Sequence, residues 1–336
     1  MDEHPVFPPD HLTINVTHRD DPLFGVAEAD ARAAFRAYPD IVVRGPLFGL
    51  AEQRPGDRPR WRLLGELECG APQMARDELN SHLWFMAKDG TDDRAVRRSL
   101  LDAVARLETE PVDEVTAAGV RYRVVRADEF ARIGDGRLEP PRPTDVDSEG
   151  WDPNTVEPSR SDGFVIDHAA AVGLGEGIDR AGLVSLAYTA SRYPEAVRAD
   201  SRKALTSHPG VVLLPPTFRV VERKEGSWGL VTGLHATPQD ARRALVHHLK
   251  VYLPEVTRID AEEAAVLARA AHQFARRKRP DQLLAGGRRF DVVRVGRMVR
   301  IGPDGPETPR PSDVDEDVPS KMHPTMDEHG VITADE

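Results

Sequence analysis

Two nine-residue stretches carry the charged residues best spaced to act together: Glu139 to Asp147, reading EPPRPTDVD, and Glu307 to Asp315, reading ETPRPSDVD. In each, an arginine (Arg142 or Arg310) stands between prolines, and an aspartate (Asp145 or Asp313) follows three residues later. Prolines at this density hold a chain in extended polyproline II. An Arg–Asp pair on such a segment can line a cleft and hold an anionic ligand. Alternatively, the segment can dock on a partner protein as a Pro-rich peptide. The structural alternative is an exit arm that lies across its own module, its aspartate bonded to nearby backbone or to the arginine.

The other candidates stand singly. His82 and His248 lie beside apolar helical stripes, where ligand duty competes with simple packing. His247 and His248 are adjacent, so they lack the four-residue spacing that puts two metal ligands on one helical face. Trp84 lies outside its helix's apolar stripe, and an aromatic so placed marks a contact surface. Arg276-Arg277-Lys278-Arg279 is the densest basic run. It follows a helix, whose carboxyl end suits cations, so it reads as a solvated helix end or, alternatively, as a contact for an anion or nucleic acid. Gly173-Leu-Gly-Glu-Gly177 does not fit the dinucleotide pattern and reads as a bent loop. Ser161, Ser185 and Ser191 lack a nucleophile elbow. His168 follows Asp167, and neighbours on a strand face opposite ways. No catalytic set, metal cluster or cofactor motif emerges.

The paired stretches mark an internal repeat. Tyr122-Arg-Val-Val-Arg126 matches Phe290-Asp-Val-Val-Arg294 at an offset of 168, Trp61 matches Trp228 at 167, and Ala29-Asp30 matches Ala199-Asp200 at 170. The drift falls in loop-like places, where insertions belong. The expected organisation is an N-terminal arm and strand over 1–19, a first module over 20–147, a linker and bridging segment over 148–189, a second module over 190–315, and a disordered acidic tail over 316–336. Each module reads as helix, three strands, two helices and a closing strand or two. That is α+β: an antiparallel sheet with helices on one face, and two such modules in tandem pack as a pseudo-twofold pair.

The helices are legible from their stripes and ends. Pro72 opens one carrying Ala75, Leu79, Leu83 and Met86; its counterpart carries Ala241, Leu245, Leu249 and Tyr252 behind a Thr237 cap. Val96, Leu100, Val104 and Leu107 define the next, matched by Ala264, Leu267, Ala271 and Phe274 behind an Asp260–Glu263 capping box. Arg60 to Cys69 alternates as a half-buried strand, and Trp61 and Trp228 read as core anchors of equivalent strands. Ile41–Val43 and Leu47–Gln53 read as two strands around a Gly45-Pro46 turn. Leu12 to Thr17 reads as a strand.

Composition narrows the function classes. No apolar run approaches the ~20 residues of a membrane helix. A single cysteine, Cys69, rules out an internal disulfide and suits a reducing cytoplasm. A net charge of −11 argues against the whole chain binding nucleic acid. Phe218 to Arg300 nevertheless carries +8, with 17 Lys and Arg against 9 Asp and Glu. That asymmetry marks either an anionic partner at the second module or attraction between the two halves.

VVRGPLFG (42–49), LNSHLWFMAKD (79–89), RYRVVRADEFARIG (121–134), EPPRPTD (139–145), HPGVVLLP (208–215), HATPQDARRAL (235–245) and RIGPDGPETPRPSD (300–313) resemble an uncharacterised domain-of-unknown-function family of actinobacterial cytoplasmic proteins. The resemblance spans nearly the whole chain. It implies a bacterial cytoplasmic protein and carries no activity, cofactor or catalytic residue. The leading expectation is therefore a non-enzymatic interaction or scaffold protein with a protein partner. The alternatives are an enzyme or anionic-ligand binder with a site between the modules, and polyanion binding by the basic second module.

Overall fold

The computed structural model describes residues 13–17, 22–147, 160–257 and 259–333. The first half runs α1 (Pro22–Ala37), β1 (Asp40–Gln53), β2 (Trp61–Cys69), α2 (Pro72–Asp89), α3 (Arg94–Leu107), β3 (Glu114–Ala117), β4 (Val120–Gly134) and β5 (Arg137–Leu138). The connecting stretch holds β6 (Val165–Ile166) and α4 (Leu174–Leu183). The second half runs α5 (Glu195–Ser207), β7 (Gly210–Leu213), β8 (Thr217–Lys224), β9 (Ser227–Leu230), α6 (Pro238–His247), a π-helical turn (His248–Tyr252), α7 (Leu253–Val256), α8 (Ala261–Ala275), β10 (Gln282–Ala285), β11 (Arg288–Gly302) and β12 (Gly305–Pro306). A hairpin of β13 (Thr325–Met326) and β14 (Ile332–Thr333) follows.

The fold is α+β, built on an antiparallel sheet in the order β6-β2-β1-β4-β11-β8-β9. The two longest strands, β4 and β11, meet at its centre, with Ala127 opposite Val299, Asp128 opposite Met298, Glu129 opposite Arg297 and Phe130 opposite Gly296. Both run much farther than the apolar YRVVR and FDVVR segments suggested. Every side chain from Tyr122 to Arg132 is buried, charged ones included. Helices and arms cover both faces here, so the strand shows no alternation. The expected pair of strands around Gly45-Pro46 is likewise one strand, β1. It bends at a bulge between Val43 and Gly45, with Gly45 at φ 148°, a conformation only glycine adopts readily.

The helical stripes fall where their spacing put them. Leu79, Leu83, Leu100 and Leu107 pack on Tyr122 and Val124; Leu245, Leu249, Leu267 and Phe274 pack on Phe290 and Val292. Thr237 and Asp260 cap their helices by accepting the Asp240 and Glu263 backbone N–H groups. One stripe member moves. The π-turn adds a residue per turn, so Tyr252 swings out to 52% exposure and Leu253 takes the core position. Trp61 is a core anchor at 1% exposure, whereas Trp228 is only partly buried beside Val221 and Leu234.

Three expectations about the irregular parts need correction. Among the described residues of the proposed N-terminal strand, only Val16 bridges, to Val172; residues 1–12 lie outside the described chain, as do 148–159 of the expected linker. Gly173–Gly177 is not a bent loop but the cap and first turn of α4. A side chain at Gly175 or Gly177 would collide with Ala31 of α1 or with Val16, so the glycines serve close packing. The tail over 316–333, expected to be disordered, lies on the first half. Met326 joins the α2–α3 core at 7% exposure, and Trp84 Nε1 donates to the Pro324 carbonyl at 3.2 Å. A single buried methionine and a stacked histidine, His323 on Trp84, outweigh the segment's acidic composition.

Candidate functional site

The two Pro-Arg-Pro arms begin on their own halves. Arg142 Nε donates to Glu139 at 2.5 Å, and Arg310 grips both oxygens of Glu307 at 2.8 and 2.9 Å. Asp145 and Asp313 then fold back to accept the backbone N–H of Arg142 (2.7 Å) and Arg310 (2.8 Å), the local bond that short acidic side chains favour. Their remaining charge goes to the opposite half. Asp313 accepts from Arg126 Nε at 2.9 Å, and Asp145 from Arg294 Nε at 3.2 Å. Two residues on, Asp315 pairs with Arg76 of α2 at 2.5 Å and Asp147 with Arg242 of α6 at 3.2 Å. The arms are therefore exchanged, and the expectation that each closes its own module is corrected. Arg142 and Arg310 are already committed to the glutamates just upstream, so each aspartate must find its arginine elsewhere.

Burial and charge set the protonation states here. Burial opposes the Asp128 charge, but Arg126, Arg310 and the Tyr188 hydroxyl outweigh it and hold the carboxyl below its usual range. Burial likewise works against the Arg142 guanidinium, and Glu139 more than offsets it. His82 and His248 are both pushed down by burial, which favours neutral rings.

A cavity of about 540 Å³ opens between α1, α4 and the sheet, within the size range of small-molecule sites. Both halves line it: Glu139 and Arg142 come from the first arm, Arg294 and Gly296 from β11. Phe24, Phe130, Phe164 and Leu214 give it apolar walls. Arg132 at its edge is fully engaged, with Asp179 and the Tyr38 carbonyl. Arg142 and Arg294 are not. Arg294 uses only Nε, on Asp145, and Arg142 leaves Nη2 buried with no hydrogen-bond partner among the described residues. The cavity's described lining contains no Ser, Thr, Cys, His or Lys. The arginine N–H groups that remain are suited to hydrogen-bond donation to an anion. Among the described residues, no group of His, Cys, Asp and Glu is arranged to hold a metal ion.

The other sequence candidates lie apart from this cavity. Trp84 is 5% exposed beneath the C-terminal tail. His82 sits against Tyr122, and His248 against Tyr252 on the π-turn. Arg276, Arg277, Lys278 and Arg279 are exposed at the end of α8, with Arg279 on Asp147 at 2.9 Å. Arg277 also lines a groove of about 500 Å³ with Arg242, Arg243, His247 and Lys250. Arg126, Arg294, Asp128 and Tyr188 were missed. The available signal was an arginine ending both matched strands, YRVVR and FDVVR.

Fold and site define a mixed α+β protein whose central sheet spans both halves of the chain and is locked by exchanged acidic arms beside an arginine-bearing cavity. The chain belongs to a family of unknown function, DUF5954, which matches residues 21–316. No curated protein and no solved structure matches it. Among the described residues, no helix is long and apolar enough to cross a membrane.

Proposed function

We propose that this chain binds a small anionic molecule in the cavity where its two halves meet. The reading is carried by one observation: Arg294 lines that cavity and, among the described residues, spends only its side-chain Nε, on Asp145. It is preferred over a scaffold that displays its Pro-rich arms, because those arms are consumed by contacts inside the molecule. The site belongs to a tandem duplication over 20–147 and 190–315, arranged about a local twofold axis. The β4–β11 register supports this, since Glu129 lies opposite Arg297, its own counterpart at the 168 offset. A single buried cysteine is consistent with a reducing, cytoplasmic setting.

The test is a titration of the full chain with small carboxylates, phosphate and matched uncharged amides, followed by calorimetry. Anions should bind, and Arg294→Gln should weaken them about tenfold or more, the scale of a lost charge-assisted contact. Arg276→Gln/Arg277→Gln should leave binding unchanged. Loss of binding in the second variant alone would move the site to the basic groove and sink the proposal, as would no binding at all.

A further inference from the structure

Tyr188, near the end of the segment joining the halves, is buried. Its hydroxyl donates to Asp128 at 2.6 Å, and its backbone N–H donates to Ser201 Oγ at 2.8 Å. Asp128 in turn accepts from Arg126 Nη1 at 2.9 Å. At the offsets that relate the halves, Asp128 corresponds to Gly296, Ser201 to Ala31, Arg126 to Arg294 and Arg310 to Arg142. All four of these counterparts line the cavity. The same corner of the fold is therefore built twice. In one half the chain supplies a phenol ring and a carboxylate on the arginine. In the other it supplies the arginines, and the described residues leave the volume open.

We infer that the cavity takes a small aromatic carboxylic acid. Its carboxylate meets Arg294 as Asp128 meets Arg126, and its ring plays the part that the phenol of Tyr188 plays beside Asp128. This rests on the anion-binding reading above and names its ligand class. Arg126 holds two carboxylates, Asp128 and Asp313, whereas among the described residues Arg294 holds only Asp145. The chain cannot supply the second one from position 296, where any Cβ would strike the ring of Phe130. The same ring, with Phe24 and Phe164, gives the aromatic walls that a planar ligand packs against. The carboxylates that share the cavity are engaged elsewhere: Glu139 is bound to Arg142, Asp179 to Arg132, Glu176 to Arg180, Glu28 to the Gly175 backbone N–H and Asp167 to the Ala169 backbone N–H.

The experiment titrates the full chain with benzoate, 4-hydroxybenzoate and phenylacetate, beside benzamide and unbranched aliphatic acids of similar size. Aromatic acids should bind about tenfold tighter than either control group, a carboxylate on a partly buried arginine accounting for the first difference. Arg294→Gln should collapse the preference for acid over amide. Ala31→Phe should block every ligand by filling the volume. Should neither variant fold, intermolecular NOEs from ligand ring protons to the Ala31 methyl in the unmodified chain decide the site. Equal binding of aliphatic acids would overturn the aromatic class and leave the anion reading standing. Absence of any binding would overturn both, and aromatic binding without the Ala31 contact would overturn the placement.

Discussion

Replacing Arg126 by methionine should cost far more stability than the same change at Arg294, although the two arginines end matched strands. Arg126 is 2% exposed between Asp128 at 5% and Asp313 at 6%. Its removal strands two carboxylates away from water, and breaking a buried pair in this way costs ~3–5 kcal/mol. Arg294 is 20% exposed, with one partner, Asp145, at 9%. Solvent shares that charge, so its loss should cost ~1 kcal/mol. Against a total of ~5–15 kcal/mol for a folded protein, the first change removes a large fraction and the second a small one. Urea unfolding followed by far-UV circular dichroism measures both. Asp128→Asn/Asp313→Asn added to Arg126→Met should recover part of the loss, because it neutralises the stranded charges. Equal losses at Arg126 and Arg294, or no recovery in the triple variant, would show that the exchanged arm is not held by this charge cluster.

Further outcomes follow from single contacts. The depressed Asp128 carboxyl contributes stability that is complete above its ordinary value of 3.8 and lost as pH falls through the lower folded-state value. Stability should therefore drop below about pH 4, and Asp128→Asn should flatten that decline; an unchanged acid limb would contradict it. A Cβ at Gly134 lands on the Ala37 carbonyl oxygen, and one at Gly302 comes to 2.6 Å from the Ser207 oxygen, so alanine at either should cost ~1–3 kcal/mol by overpacking a helix end. Thermal melts of the two variants check this. Ending the chain after Asp315 removes the buried Met326 and uncovers Trp84, which should cost ~1.5–3 kcal/mol and red-shift tryptophan emission. An unshifted spectrum would contradict the docking. Burial pushes the Cys69 thiol up, so a thiol reagent should label it only as the chain unfolds.

The sequence alone determined the helices, their caps and which faces they bury, because each follows from spacing within one segment. Leu79, Leu83, Leu245 and Leu249 are buried as their periodicity requires, and Thr237 caps as its position requires. It also singled out Arg142 and Asp145 as a charged pair worth placing. What it could not give was each charge's partner. Asp145 meets Arg294 and Asp313 meets Arg126 because the arms cross between halves, and no local pattern encodes a contact across 149 or 187 residues of chain. The full length of β4 and β11 was hidden for a related reason. A strand covered on both faces by ion pairs has no alternation to read, and only the assembled neighbours make burying Arg126 and Asp128 tolerable.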